Sequence, residues 1–449
     1  MQFELLKDYY TSPRITGEIL DCSMPMTFDQ YGNCGYNCQY CFSTFQRALG
    51  IGKENYLAKK VKKVSVNKIK NMFTDPDKHG GDFKDIIKQK ITMQWGGLSD
   101  PFCPIEKQLG VGYELLKFFK EIKYPICFST KGTFMLEPKY KKYLDLFEGM
   151  EKHWSFKETI ISLDEKACAE IEAGVPSPLK RLEVLKRLSD MGIWTILRLR
   201  PFIIGLSDKT YEELINKAAD IGCKAMSTEF FCLELRSINI AREKYDLMSK
   251  VIGFDIVQFY KNISTSSGYL RLNYEIKRPY IDKMEAICRA RGLNFHVSDA
   301  HHKERGVSGS CCGLPNKGLN EPALTNYHRC QFTNALQIAK AKGEVHWSDI
   351  SKYGQWMRNY QYSINGVTAF SNAKRESFKN MSMYDVMRNI WNSPKQAKSP
   401  YKYFGGVLMP IGLDENKDVV YKYNKEKVGI NPCLGNCETC GLRSVLDKE

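Results

Sequence analysis

The segment DQYGNCGYNCQYCFS places Cys34, Cys38 and Cys41 in C-x3-C-x2-C spacing just after the first predicted strand, and it constrains the fold more than any other feature. Three thiolates delivered by one loop can hold three irons of a cubane cluster, because soft sulfur ligands suit iron–sulfur chemistry. The fourth iron then stays open to a substrate or cofactor. Gly32 and Gly35 let such a loop wrap closely. Zinc is the competing reading, but a structural zinc site takes four protein ligands, commonly as paired C-x2-C knuckles, and no fourth cysteine stands nearby. A chance cluster of buried thiols is the other.

The chain has 449 residues, enough for a sizeable core and two domains. Its 16 cysteines are too thinly spread for a short secreted disulfide scaffold, so metal or redox work is expected of some. Cys127, Cys168, Cys223, Cys232 and Cys288 sit singly among apolar neighbours and read as small buried residues. No apolar run is long enough to span a bilayer, and the start, MQFELLKDYYTSPR, lacks a signal-peptide layout, so a cytoplasmic address is expected. The net charge of +15 favours polyanionic partners or anionic substrates, although lysines also serve as plain solvated surface.

From about residue 20 to 300, short β-rich runs alternate with helical patterns. The segments 92–97, 125–132, 159–164, 195–205 and 225–231 read as buried strands. Over 178–191, Leu179, Leu182, Leu185 and Leu188 share one helical face, with Lys180, Arg181, Lys186 and Arg187 elsewhere and Gly192 as the stop. Repeated strand–helix units predict an α/β fold with a parallel sheet and right-handed crossovers, open or curled into a barrel, with its site at the C-terminal strand ends. The polar, Gly-rich stretch after residue 298 marks the entry to a second domain.

With Tyr40 in the aromatic position, the cysteine motif resembles the signature of the radical S-adenosylmethionine (SAM) superfamily. The resemblance implies a [4Fe–4S] cluster on Cys34, Cys38 and Cys41 whose open iron binds SAM, and a 5′-deoxyadenosyl radical that abstracts a substrate hydrogen. It also implies a partial (β/α)6 TIM-like barrel over residues 21–305, after an N-terminal extension of 1–20. Further matches are GGLSDPFCPIEK, with Gly96, Gly97, Ser99 and Asp100 near the SAM amino group, FSTKG with Thr130 and Lys131, and Ser162 in SLD. Arg198 and Glu229 are placed at the site by motif and strand end. Taken together, 28–210 resembles the spore photoproduct lyase-like branch, also called DNA repair photolyase-like. That branch places a hydrogen-donating cysteine where this chain has Gly97. Cys103, three residues past Asp100, is the candidate catalytic thiol, with a packed core thiol as the alternative.

The spacing recurs in NPCLGNCETCGLR, at Cys433, Cys437 and Cys440, with Cys311, Cys312 and Cys330 upstream. This region resembles the SPASM/twitch auxiliary-cluster domains, which makes 306–449 a smaller cysteine-rich domain with one auxiliary [4Fe–4S] cluster. The expected ligands are Cys330, Cys433, Cys437 and Cys440, with Cys312 in reserve; a zinc site or free thiols are the alternatives. His301 and His302 read as polar loop residues.

Basic and aromatic residues interleave late in the chain, with Lys395, Lys398 and Lys402 beside Trp391, Tyr401 and Tyr403. Rings beside cations suit single-stranded nucleic acid or flipped bases, and they equally suit packing around a cluster. The leading expectation is a radical SAM enzyme modifying or repairing a nucleobase or nucleotide, reduced by a flavodoxin or ferredoxin. A SPASM-type peptide-modifying maturase comes second, and a non-catalytic zinc-containing nucleic-acid-binding protein third.

Overall fold

The computed structural model describes residues 3–15, 24–47, 53–234, 238–264, 269–299, 301–307, 311–314, 330–360, 376–396 and 398–430. Its strands are β1 (Arg14–Ile15), β2 (Met26–Phe28), β3 (Asn37–Cys38), β4 (Met93–Trp95), β5 (Ile126–Thr130), β6 (Trp154–Thr159), β7 (Glu172–Ala173), β8 (Trp194–Phe202), β9 (Ala225–Phe230), β10 (Cys232–Glu234), β11 (Tyr269–Arg271), β12 (Asn294–Val297), β13 (Glu344–Val345), β14 (Leu408–Leu413) and β15 (Val419–Tyr423). The main sheet runs β1-β2-β4-β5-β6-β8-β9-β12. From β2 onward every neighbouring pair is parallel, and β1 is antiparallel at the edge.

The parallel strands follow one another in chain order with no reversal. Right-handed crossovers that always step the same way deposit their helices on one face of a sheet. The side chains agree. On the helix-covered face Phe28, Trp95, Phe128, Trp154, Phe156, Leu197 and Met226 are buried. Phe119 of the helix Val111–Glu121 meets the rings of Phe28 and Trp95. The opposite, inner face carries Thr27, Gln94, Cys127, Ser155, Lys157, Ile196, Arg198 and Ala225, paired in register across the strands. Strand alternation thus makes one face a hydrophobic core and the other a polar wall.

The fourth parallel strand spans Trp154–Thr159, so the segment 159–164 leaves the sheet where a strand was expected. Lys157 and Glu158 interrupt the apolar run and hide the strand from a hydrophobicity reading. The helix predicted over 178–191 spans Pro178–Asp190, but its buried face differs. Leu182, Leu185 and Leu188 are buried, Leu179 is 55% exposed, and Arg181 lies in the core. Ser177 caps this helix by accepting from the Lys180 amide.

Beyond residue 330 the helix Phe332–Lys342 packs beside the small antiparallel sheet β13-β15-β14. The helix Met383–Trp391 buries Trp391, whose indole N–H donates to the Val419 carbonyl. Among the lone cysteines, Cys127, Cys168, Cys223 and Cys288 are buried and Cys232 is half-buried. His301 and His302, expected in a polar loop, are buried, with His302 stacked on Tyr274. No helix of the described residues is long and apolar enough to cross a membrane.

Candidate active site

The cysteine loop leaves the C-terminal end of β2 and is clamped from several sides. Asn33 accepts from the Cys34 amide and donates to the Tyr56 carbonyl. The Gln39 amide donates to Ile171, and β3 pairs antiparallel with β7, setting Cys38 opposite Glu172. The Ser43 hydroxyl donates to Leu98, and the Tyr36 hydroxyl donates to Phe102. Gly35 has to be glycine: a Cβ there would stand 2.9 Å from the Pro104 ring. The loop therefore lies directly on the segment after β4.

Cys38 is buried, while Cys34 and Cys41 are half-buried. Burial pushes the Cys38 thiol up to about 12, and the Lys131 ammonium pulls in the opposite direction. The Cys103 thiol beside Cys34, and then burial, raise Cys34 well above the ordinary range. Burial works to lower Lys131, but Cys38, Glu172 and Asp100 together hold its ammonium above the ordinary value. Lys244 donates to the Cys38 carbonyl at 3.3 Å. Lys131 thus faces Cys38, and Lys244 faces Cys38 and Cys41; the Lys131 charge works against the burial that disfavours the Cys38 thiolate.

These residues fit the cluster that the resemblance implies. Three sulfurs come from one enclosed loop, two ammonium groups stand beside them, and close backbone packing holds the loop. Among the described residues no three His, Cys, Asp or Glu side chains converge tightly enough for a single ion. A cubane puts each thiolate on a separate iron, so it does not require that convergence.

The segment after β4 is held mainly by an anchor that sequence reading missed. One oxygen of Asp29 accepts the amides of Gly97, Leu98 and Ser99, each at 2.9 Å, while Arg14 pairs with the other at 2.5 Å. Gly96 adopts φ +98°, and a Cβ on it would lie 2.2 Å from the Ser129 carbonyl. Asp100, raised by burial, accepts from the Thr130 hydroxyl at 2.6 Å and from the Lys131 and Phe102 amides. Ser99 donates to the Tyr31 carbonyl, and Ser162 shares a hydrogen bond with Thr210. Ser99, Asp100, Thr130 and Ser162 thus spend hydrogen bonds on shaping the rim. Cys103 is buried at the start of the helix Pro104–Leu109.

Tyr40 donates to Glu172, which is paired with Arg181. Lys131 lies over the Tyr40 ring, with its nitrogen 5.6 Å from the centroid. On the inner face Arg198 donates to Thr159, and Arg200 pairs with Glu229. Cys312 packs on the same face with Cys127, Ile196 and Ala225, and its sulfur is 3.9 Å from that of Cys311. Trp194 donates to the Gly313 carbonyl and seats this segment. Cys330 lies elsewhere, beside Gly354 and Met357. Cys433, Cys437 and Cys440 fall outside the described residues.

The fold and site define a singly wound α/β chain with a cysteine loop on its C-terminal rim and a polar inner face. No family model matches it. An uncharacterized protein of Methanocaldococcus jannaschii is 28% identical over 218 residues, covering 48% of this chain and 71% of that protein. The chain is similar to a spore photoproduct lyase mutant with bound AdoMet and dinucleoside spore photoproduct, with a TM-score of 0.47 and 15% identity over 64% of this chain and 80% of that one. It is also similar to Streptococcus suis SuiB bound to S-adenosylmethionine, with a TM-score of 0.39 and 12% identity over 62% and 51%.

Proposed function

We propose that this chain is a radical SAM enzyme that modifies or repairs a nucleobase or nucleotide. The observation that carries the reading is the placement of Cys34, Cys38 and Cys41 on one clamped loop at the C-terminal rim of a parallel sheet with a polar inner face. When bound, the cluster supplies the electron that cleaves SAM into methionine and a 5′-deoxyadenosyl radical. The protein's part is positional. Lys131 and Lys244 offset the charge of the sulfurs, and Asp29 fixes the loop after β4. The inner face offers the substrate hydroxyls, cations and thiols instead of a greasy wall. The net charge of +15 and the cations on that face favour an anionic substrate over a neutral peptide. Cys330 with Cys433, Cys437 and Cys440 would hold the auxiliary cluster, with 306–449 as its domain.

The test is anaerobic purification and reconstitution of wild type and the Cys34/Cys38/Cys41→Ala variant, counting iron and sulfide and assaying 5′-deoxyadenosine under dithionite. About eight irons falling to about four, with 5′-deoxyadenosine lost, is the expected result. Four falling to none keeps the enzyme and removes the auxiliary cluster. Zinc without iron or SAM cleavage overturns the reading.

A further inference from the structure

Lys244 stands in the first turn of the helix Arg242–Ile252, 206 residues after Cys38. Tyr245, Met248 and Ile252 are the buried face that seats this helix. It packs beside the helix Glu165–Ile171, whose last carbonyl takes the Gln39 amide of the cysteine loop. Lys244 is half-buried there, and its ammonium donates to the Cys38 carbonyl at 3.3 Å and to the Asn37 side-chain oxygen at 3.4 Å. Both acceptors are neutral. The charges it faces are the sulfurs of Cys41 and Cys38 and the repelling ammonium of Lys59; no carboxylate among the described residues lies within ion-pair distance. A cation in the first turn opposes the helix dipole, and a half-buried ammonium gives up hydration. Neither stabilises the helix, so what compensates this placement lies in the loop that the ammonium touches.

We propose that Lys244 is a positioning residue for electron uptake: its charge, fixed on the cysteine loop, raises the reduction potential of the cluster on Cys34, Cys38 and Cys41. The inference rests on the radical SAM reading given above and adds to it how the chain makes the cluster reducible. Three thiolates already load the cluster with negative charge, and one-electron reduction adds more. A cation beside two of the three sulfurs stabilises the reduced form more than the oxidised one, because the attraction grows with the charge it faces. The electron comes from a low-potential one-electron carrier, which is oxidised as the cluster is reduced. Lys131 also faces Cys38, but Glu172 and Asp100 share its charge. Lys244 has no such carboxylate, so its field falls on the loop undivided.

The test is a potentiometric titration of full-length reconstituted protein, followed by electron paramagnetic resonance, on wild type, Lys244→Met, Lys244→Arg and Lys117→Met. The signal followed is the one that the Cys34/Cys38/Cys41→Ala variant lacks. At the potential where wild type is half reduced, Lys244→Met should raise the ratio of oxidised to reduced cluster at least about threefold. Lys244→Arg should stay near wild type, because it keeps the charge. Lys117→Met, which removes an exposed cation on the helix Val111–Glu121, should not move the midpoint. Iron per chain should stay near the wild-type value in all three, since Asn33, Gln39 and Ser43 still clamp the loop. A Lys244→Met midpoint equal to that of wild type, or a Lys244→Arg midpoint displaced as far as that of Lys244→Met, would overturn the role of Lys244 alone. Wild type without any such signal would overturn the radical SAM reading and this role with it, so the two failures are told apart.

Discussion

Arg181 and Glu172 form an ion pair that is shielded from water, with Nη2 2.6 Å from Oε2. Glu172 also accepts from Tyr40, and its backbone pairs with that of Cys38, so the pair links the helix Pro178–Asp190 to the cysteine loop. Removing one partner of a buried pair strands the other charge, which typically costs about 3–5 kcal/mol. Arg181→Met should therefore lower the melting temperature clearly and loosen the cysteine loop. The Arg181→Met/Glu172→Gln double variant should recover much of that loss. Thermal unfolding and iron per chain after reconstitution check both points; a single variant that melts like wild type would refute the linkage.

Asp29 is the second anchor. Its one oxygen serves three successive amides, and a buried donor left without a partner costs about 1–3 kcal/mol. Asp29→Ala should distort the Gly97–Ser99 backbone while leaving Cys34, Cys38 and Cys41 in place. SAM affinity is expected to fall at least roughly tenfold while iron per chain stays near the wild-type value. Equilibrium dialysis with SAM against iron analysis separates the two; equal loss of both would place Asp29 in the support of the whole rim.

Glycines test the same rim by contrast. Gly96 and Gly110 both have positive φ, +98° and +64°. A Cβ on Gly96 meets the Ser129 carbonyl at 2.2 Å, whereas one on Gly110 meets nothing within 4 Å. Gly110→Ala should cost about 1 kcal/mol, from backbone conformation alone. Gly96→Ala should add overpacking of about 1–3 kcal/mol and separate β4 from β5 near the site. Denaturant midpoints of the two variants measure the difference.

The cysteine loop and the parallel sheet were legible because each has a local signal, a spacing for one and alternating strand and helix runs for the other. What escaped depends on partners distant in the chain. Arg181 looks like a solvated cation until Glu172 is folded against it, and Leu179 looks like core until the helix is rotated accordingly. Lys157 and Glu158 disguised a central strand, since two charges in a buried run contradict the usual pattern. Ser99 and Asp100 were expected to hydrogen-bond SAM, and the fold turns bonds of theirs inward to Tyr31, Thr130 and Lys131, partners that no local spacing announces. Nothing in the segment GSCCGLP announces that Cys312 packs against Cys127 and Ile196 on the inner face. That contact crosses from one predicted domain to the other.

Glu304 gives a pH dependence whose sign can be worked out. Burial pushes its carboxyl up to about 7, although Arg305 and Lys340 pull it down, and its Oε1 has no hydrogen-bond partner among the described residues. An unfolded glutamate titrates near 4.3. Between those values the folded protein holds a proton that the unfolded chain has lost, so this group's contribution to stability falls as pH rises through the window. The loss is of order 3 kcal/mol by pH 8. His302 acts the other way: burial lowers it to about 3, so it costs stability as pH falls below the usual histidine range. Glu304→Gln removes the first effect and leaves the second. The melting temperature of the variant minus that of wild type should therefore grow from pH 5 to about pH 7 and level off by pH 8. A difference that stays flat across that range would show that Glu304 ionises in the folded protein as freely as in the unfolded chain.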